Sequence, residues 1–173
     1  AQPTEALPVT VLGVDEIDAT GATSGDELYR SIPQLGDVSF TATRTIGSLN
    51  DARGDTASVN LRSVGAGNTL VLLNGRRLVN HPTAQSDNGI PVMSVNANTI
   101  PTTGLSRVEV LLDGASALYG ADAVAGVMNN VLKTNFEGIT AELQYGVENG
   151  VSADEISGSI EAGFDLNDGA GHL

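Results

Sequence analysis

The side chains of this chain that could take part in chemistry are few, and no catalytic constellation among them has convincing spacing. Ser116 lies in a run of small residues, Gly114-Ala115-Ser116-Ala117-Leu118. A nucleophile elbow would need a second glycine there, and neither His81 nor His172 has a neighbourhood that makes it the base. Two separated histidines without any cysteine are also poor metal ligands. The Gly65-Ala66-Gly67-Asn68 stretch is too short for a phosphate loop and has no lysine. What remains is charge set among apolar residues: Arg62, Arg107 and Glu109 fall within or beside strand-like runs. Each of them either points to water or belongs to a pair.

These residues must be held by short elements. Residues 108–112 form an apolar run with Glu109 inside it, of the length and branching that suit a strand buried on both faces. Asp113-Gly114 then forces a turn, and the stretch from Ser116 to Tyr119 followed by Gly120 reads as one helical turn with a glycine stop. Residues 126–132 return to strand composition, so the unit is strand, tight turn, helical turns, strand, with Tyr119 as its large central side chain. Upstream, residues 8–13 read as an edge strand opened by Pro8, and residues 15–19 as an acidic helical turn ended at Gly21. Ser24 is placed to cap a helix running to about Ser31, with Asp26 and Glu27 at its positive end and Leu28 and Ile32 facing inward. Residues 34–57 are polar and poorly periodic, a long surface loop. Residues 58–62 alternate like a half-buried strand, residues 69–73 are apolar, and Asn74-Gly75 signals a hairpin returning through residues 76–79. A second polar stretch, residues 80–88, carries His81.

Composition narrows the class. With 173 residues and 40% hydrophobic content the chain can form a modest core, and with 3% aromatics and no Trp that core rests on Val, Leu, Ile and Ala. The 21 glycines point to turns and close backbone approaches rather than long helices. The net charge of -13 is unevenly placed: all eight Lys and Arg lie between Arg30 and Lys133, whereas residues 134–173 hold eight acids and no Lys or Arg. No basic stripe forms, which argues against a nucleic-acid partner. After Lys133 the pattern becomes strict alternation. Ile139, Ala141, Leu143, Tyr145 and Val147 share one face, and Ile156, Gly158, Ile160, Ala162, Phe164 and Leu166 another. Each run matches the ~9–11 residues of a tilted membrane-crossing strand, and a soluble antiparallel hairpin would alternate in the same way.

Three stretches carry a likeness to a known family. They are VNLRSVG at 59–65, NTLVLLNGRRLV at 68–79, and VEVL followed by DGASALYGADAVAGV at 108–127, with Lys133 closing the last strand. Together they resemble the plug domain of TonB-dependent outer-membrane receptors, and the ELYRSIP helix at 27–33 is similar to that domain's N-terminal half. The resemblance implies an α+β fold: a small mixed β-sheet plug with short helices, followed by the first two antiparallel strands of a transmembrane β-barrel. It divides the chain into a flexible lead at 1–7, a plug at 8–136 and barrel strands at 137–173. Two strands cannot close a barrel, so the chain reads as part of a longer one.

The implied function is TonB-dependent uptake of a scarce ligand, such as a siderophore, cobalamin or a carbohydrate, across the bacterial outer membrane, without a cofactor. Its partners would be TonB, the lipid around the barrel and that ligand. By the same likeness Asn50, Asn80, His81, Gln85, Asp87 and Asn88 lie in apex loops facing the ligand, and Arg62 and Glu109 form an ion-pair latch where plug meets barrel wall. Asn74, Gly75, Asp113, Gly114, Tyr119 and Gly120 form the turns and a thin seam of small residues against that wall. The chain carries Leu112-Asp113-Gly114 where many members carry Arg-Gly-Pro. A soluble periplasmic ligand-binding or adaptor domain of similar mixed-sheet fold is the alternative reading, and a serine hydrolase using Ser116 is a third.

Overall fold

A computed structural model of the protein describes residues 9–36, 56–87, 89–134, 136–147, 154–166 and 171–172. The expected flexible lead, the centre of the first long loop with Asn50, and Asn88 lie outside the described residues. The chain divides into two compact units, Ala1–Leu132 and Lys133–Leu173.

The first unit is built on a mixed five-stranded sheet in the order β1-β6-β7-β2-β3. Its strands are β1 (Val9–Gly13), β2 (Thr69–Leu73), β3 (Arg76–Arg77), β6 (Leu105–Leu111) and β7 (Gly126–Leu132). β2 and β7 run parallel, and the other three pairings are antiparallel. A small hairpin, β4 (Gln85–Asp87) with β5 (Ile90–Val92), stands apart from this sheet. Two short helices follow β1. α1 (Val14–Thr20) is closed by Gly21 in the left-handed conformation, at φ 64°. In α2 (Gly25–Arg30) the Ser24 hydroxyl accepts a hydrogen bond from the Glu27 amide, satisfying one of the open N–H groups of the first turn.

Period-2 alternation of the strands lets the sheet bury both faces. Val71, Val108, Val110 and Met128 meet Ile17, Leu28 and Tyr29 from the helices, with Ile32 just beyond α2, on one side. Leu70, Leu72 and Val127 meet Ala115 and Ala123 on the other, where α3 (Ala115–Tyr119) and a 3-10 turn (Ala121–Ala123) fill the crossover between β6 and β7. Small residues suit this second face, because the crossover is only two tight turns deep. Gly126 shows how tight it is: a side chain there would stand 2.5 Å from the Leu111 carbonyl oxygen.

Residues 58–62 do not form the strand that their alternation suggests. They make isolated bridges instead, Leu61 with Leu35 among them, and residues 56–59 are all buried. This segment is threaded into the core and tied to a second 3-10 turn, Ala97–Thr99. The Asn96 side chain accepts from the Ala57 amide at 3.1 Å, and the Ala97 amide donates to the Ala57 carbonyl at 2.8 Å. Gly25 packs against the same turn so closely that a β-carbon would lie 2.8 Å from the Ala97 carbonyl carbon and nearer still to its oxygen.

The second unit contains a long antiparallel hairpin, β8 (Gly138–Val147) with β9 (Asp154–Gly163), and a two-residue pair, β10 (Asp165–Leu166) with β11 (Gly171–His172). In the β8–β9 register Ile139 faces Ala162, Ala141 faces Ile160, Leu143 faces Gly158 and Tyr145 faces Ile156. The apolar residues of both strands therefore share one face. That face is exposed, with Leu143 and Ile160 each 79% accessible. The polar face pairs Thr140 with Glu161, Glu142 with Ser159 and Gln144 with Ser157. Among the described residues no helix is long and apolar enough to cross a membrane.

Candidate functional site

The Asn74-Gly75 turn joins β2 to β3. Both residues take positive φ, 48° and 75°, the conformation that a two-residue hairpin with the right strand twist demands. Asn tolerates this region because its side chain can bond locally, and glycine because it has no β-carbon. Here the turn is also pinned to the neighbouring strand. The Asn74 amide donates to the Asn130 carbonyl at 2.8 Å, the Leu132 amide donates to Asn74 Oδ1 at 2.9 Å, and the Gly75 amide donates to Asn129 Oδ1 at 2.9 Å. β7 thus supplies a polar edge that fixes where the hairpin ends. The return strand is shorter than its sequence suggests, two residues instead of four.

Asn129 continues into a charged group. Its amide donates to Glu109 Oε2 at 2.9 Å, and Arg107 Nε donates to Glu109 Oε1 at 2.7 Å. The Asn129 hydrogen bond first, and the Arg107 contact second, hold the Glu109 carboxyl below its ordinary range. Arg62 is not part of this group. It sits with Ser63 in left-handed backbone, φ 58° and 54°, and its Nη1 reaches the Leu112 carbonyl at 3.3 Å and Asp113 Oδ1 at 3.2 Å. The latch expected from Arg62 and Glu109 is therefore two separate arrangements. It is also not a buried pair, since the Arg62 and Glu109 side chains are 49% and 28% exposed. Asp113, in the Leu112-Asp113-Gly114 turn, gives Arg62 its carboxylate partner.

Asp113 and Gly114 make the turn into α3, with Gly114 at φ 70°, and Gly120 ends the helix at φ 89°. Tyr119, the large residue of this stretch, is 37% exposed. Its carbonyl accepts from Arg77, whose guanidinium also donates to the Asp122 carboxylate. Arg77 and Asp122 were not singled out by sequence. The signal that could have found them is the second arginine directly after the Asn-Gly turn, which must point away from the first.

The large buried aromatic is Tyr29, also missed. It is fully enclosed, its hydroxyl donates to Asn130 Oδ1 at 2.6 Å, and the Asn130 amide donates to the Leu72 carbonyl at 3.1 Å. Burial pushes the Tyr29 phenol well above the usual tyrosine range, with the Asn130 contact opposing it.

The expected apex residues separate. Asn80 is exposed, while His81 and Asp87 are half-buried. The His81 amide donates to the Ser94 carbonyl at 2.8 Å, and the Thr83 amide donates to His81 Nδ1 at 3.2 Å, so this loop is tied at its base. Gln85 does not face outward. It is fully buried, and its amide donates to Thr56 Oγ1 at 3.0 Å and to the Thr83 carbonyl at 3.2 Å. A polar side chain enclosed in this way belongs to the scaffold, since burial without such bonds would be unfavourable.

Beside Asn80 lies a cleft of about 310 Å³ whose walls include Thr69, Val71, Arg77, Leu78, Met93, Ser94 and Asp122. Among the described residues no group of three or more His, Asp or Glu side chains could hold a metal. The chemistry this arrangement can perform is hydrogen bonding and ion pairing.

Comparison with known proteins accords with this geometry. The family described as TonB-dependent Receptor Plug Domain matches residues 3–127, and the chain belongs to it. Vitamin B12 transporter BtuB of Photobacterium profundum is 30% identical over 122 residues, 70% of this chain and 17% of that protein. BtuB of Vibrio vulnificus is 33% identical over 74% of this chain and 18% of its own length. An iron-regulated outer membrane virulence protein of Vibrio cholerae is 29% identical over 66% of this chain and 18% of its own. Among solved structures, the siderophore receptor PirA of Acinetobacter baumannii superposes with a TM-score of 0.59 at 22% identity, covering 83% of this chain and 20% of that one. The G324V mutant of the ferric enterobactin receptor PfeA of Pseudomonas aeruginosa gives 0.60 at 21% identity, covering 82% and 20%. The chain thus spans about a fifth of the length of these relatives. The family is one of receptors and transporters rather than enzymes, and it places the chain in the bacterial outer membrane.

Proposed function

We propose that this chain is the gating plug, with the first barrel strands, of a receptor that takes up a scarce ligand across the outer membrane by TonB-dependent active transport. The observation that carries this reading is the pairing, in one chain, of a plug-family sheet with a ten-residue hairpin whose entire apolar face is exposed. A soluble hairpin would cover such a face against a core. In a barrel it meets lipid, and the acidic face turns to the lumen. The ligand belongs to the siderophore, cobalamin or carbohydrate class, and Asn80, His81 and Asp87, with Asn50 and Asn88, contact it. Gln85 leaves that set because of its burial. Tyr119 and the small residues around it face the barrel wall, with Arg62 and Glu109 each steadying a turn there. The protein is not an enzyme, and its working partner on the inner side is TonB.

Uptake of radiolabelled cyanocobalamin, ferric enterobactin and maltose by cells producing the full-length gene product tests this. One of the three accumulates, and accumulation stops when TonB is deleted or the proton gradient is collapsed. Accumulation that continues under both conditions refutes the assignment.

A further inference from the structure

The cleft beside Asn80 has a chemistry that distinguishes among these ligand classes. Its walls mix the apolar side chains of Leu70, Val71, Leu78, Met93 and Val95 with the polar ones of Arg77, Asp122 and Asn80. The Arg77 guanidinium and Asp122 carboxylate are paired with each other, so they present donors and acceptors side by side without net charge. Asn80 is exposed and adds an amide that can donate and accept at once. The walls are held in place from behind. Ser94 is bonded to Ser58 in the core, the Thr69 hydroxyl accepts from the Leu61 amide at 3.0 Å, and Gly67 lets the chain near Met93 approach closely.

Two features then select the ligand. At about 310 Å³ the cleft is at the small end of the ~300–1,000 Å³ typical of ligand pockets, room for one ring rather than a macrocycle. A highly anionic ligand would need unpaired cations. Arg77 is already neutralised by Asp122, and residues 78–106 contain no Lys or Arg. We infer that this cleft is a subsite for a neutral, polyhydroxylated ring of sugar type, its hydroxyls bridging Arg77, Asp122 and Asn80 and its C–H face meeting the aliphatic side chains of the walls. Adjacent hydroxyls on such a ring suit a carboxylate and a guanidinium placed together, because one accepts and the other donates. This inference deepens the proposed function and rests on it for access from the outer face.

The test is equilibrium binding of radiolabelled glucose and maltose to the full-length receptor in detergent, with ferric enterobactin as the anionic comparison. Saturable sugar binding is expected, weakened about threefold or more by Asn80→Ala and about tenfold or more by Asp122→Asn. Asn80→Ala removes an exposed side chain and leaves the Arg77–Asp122 pair intact, so a folding defect in the second variant does not decide the result. No sugar binding, or sugar binding indifferent to both substitutions, overturns the inference. Ferric enterobactin binding that depends on the same residues overturns it as well. TonB-dependent uptake of another solute alongside absent sugar binding removes the sugar subsite alone. A bound sugar whose uptake ignores TonB removes the transport reading and leaves the cleft.

Discussion

Replacing Tyr29 by Phe removes one atom from the centre of the first unit, and its consequence can be worked out from the contacts. The ring stays, so the packing against Leu28 and the sheet is kept. What is lost is the 2.6 Å hydrogen bond to Asn130 Oδ1, inside a region where both residues are fully buried. Asn130 cannot turn away, because its amide is committed to the Leu72 carbonyl and its backbone carbonyl to the Asn74 amide. Its oxygen is left without a partner and without water, a penalty of about 1–3 kcal/mol. At about 1.4 kcal/mol per tenfold, amides whose exchange requires opening of this unit should exchange ~5- to ~140-fold faster. Hydrogen exchange read by mass spectrometry on the full-length receptor measures this on peptides covering α2 and β7, and peptides from β8 and β9 serve as the internal control. Exchange within twofold of wild type in α2 and β7 would refute the argument that the Tyr29–Asn130 bond is needed. Because burial raises the Tyr29 pKa, the folded state favours the neutral phenol. Its contribution is complete below the ordinary value of about 10 and is lost as the pH rises above it. The wild-type unit should therefore loosen at strongly alkaline pH more steeply than Tyr29→Phe.

Two further outcomes follow from packing. Gly25→Ala places a methyl group against the Ala97 carbonyl and should destabilise the first unit by about 1–3 kcal/mol, seen as faster exchange at both α2 and the 97–99 turn. In the hairpin, Ile160→Arg puts a charge on the apolar face and should cost up to ~2–4 kcal/mol if that position is near the bilayer midplane. Ser159→Arg falls on the polar face opposite Glu142. Receptor recovered in the outer-membrane fraction should drop for the first substitution and hold for the second, and equal recovery of both would contradict a lipid-facing assignment.

The parts of this fold that could be read from sequence are those set by local chemistry. The Ser24 cap, the Gly21 stop and the Asn74-Gly75 turn each depend on one or two residues whose backbone preferences are strong, and the structure has all three. The alternation in residues 139–162 was equally legible, because a strict period of two survives whatever the strand pairs with. Residues 58–62 misled for the opposite reason: Val59 and Leu61 alternate, but Ser58 between core residues is also buried, satisfied by Ser94 from 36 positions away. Gln85 is the same case, a polar residue in a polar stretch whose partner Thr56 is remote in sequence. The β4–β5 hairpin hid in residues 85–92, where Gln85-Ser86-Asp87 gives no apolar alternation and Pro91 sits inside the return strand. For the candidate site, residue types pointed to Arg62 and Glu109 as charged groups needing partners, yet the choice of Asp113, Arg107 and Asn129 came from register, which composition does not encode.

The register of β1 also decides how the sheet would bear tension. Val9 lies beside Leu111, which in turn faces Val127, whereas the chain leaves the sheet through Leu132, beside Leu105 at the opposite end. A tug on the backbone ahead of Val9, resisted beyond Leu132, therefore runs along the strands and loads the whole β1–β6 ladder in shear. The rungs would have to break together rather than peel one after another, so the sheet would resist a weak pull and yield abruptly to a strong one.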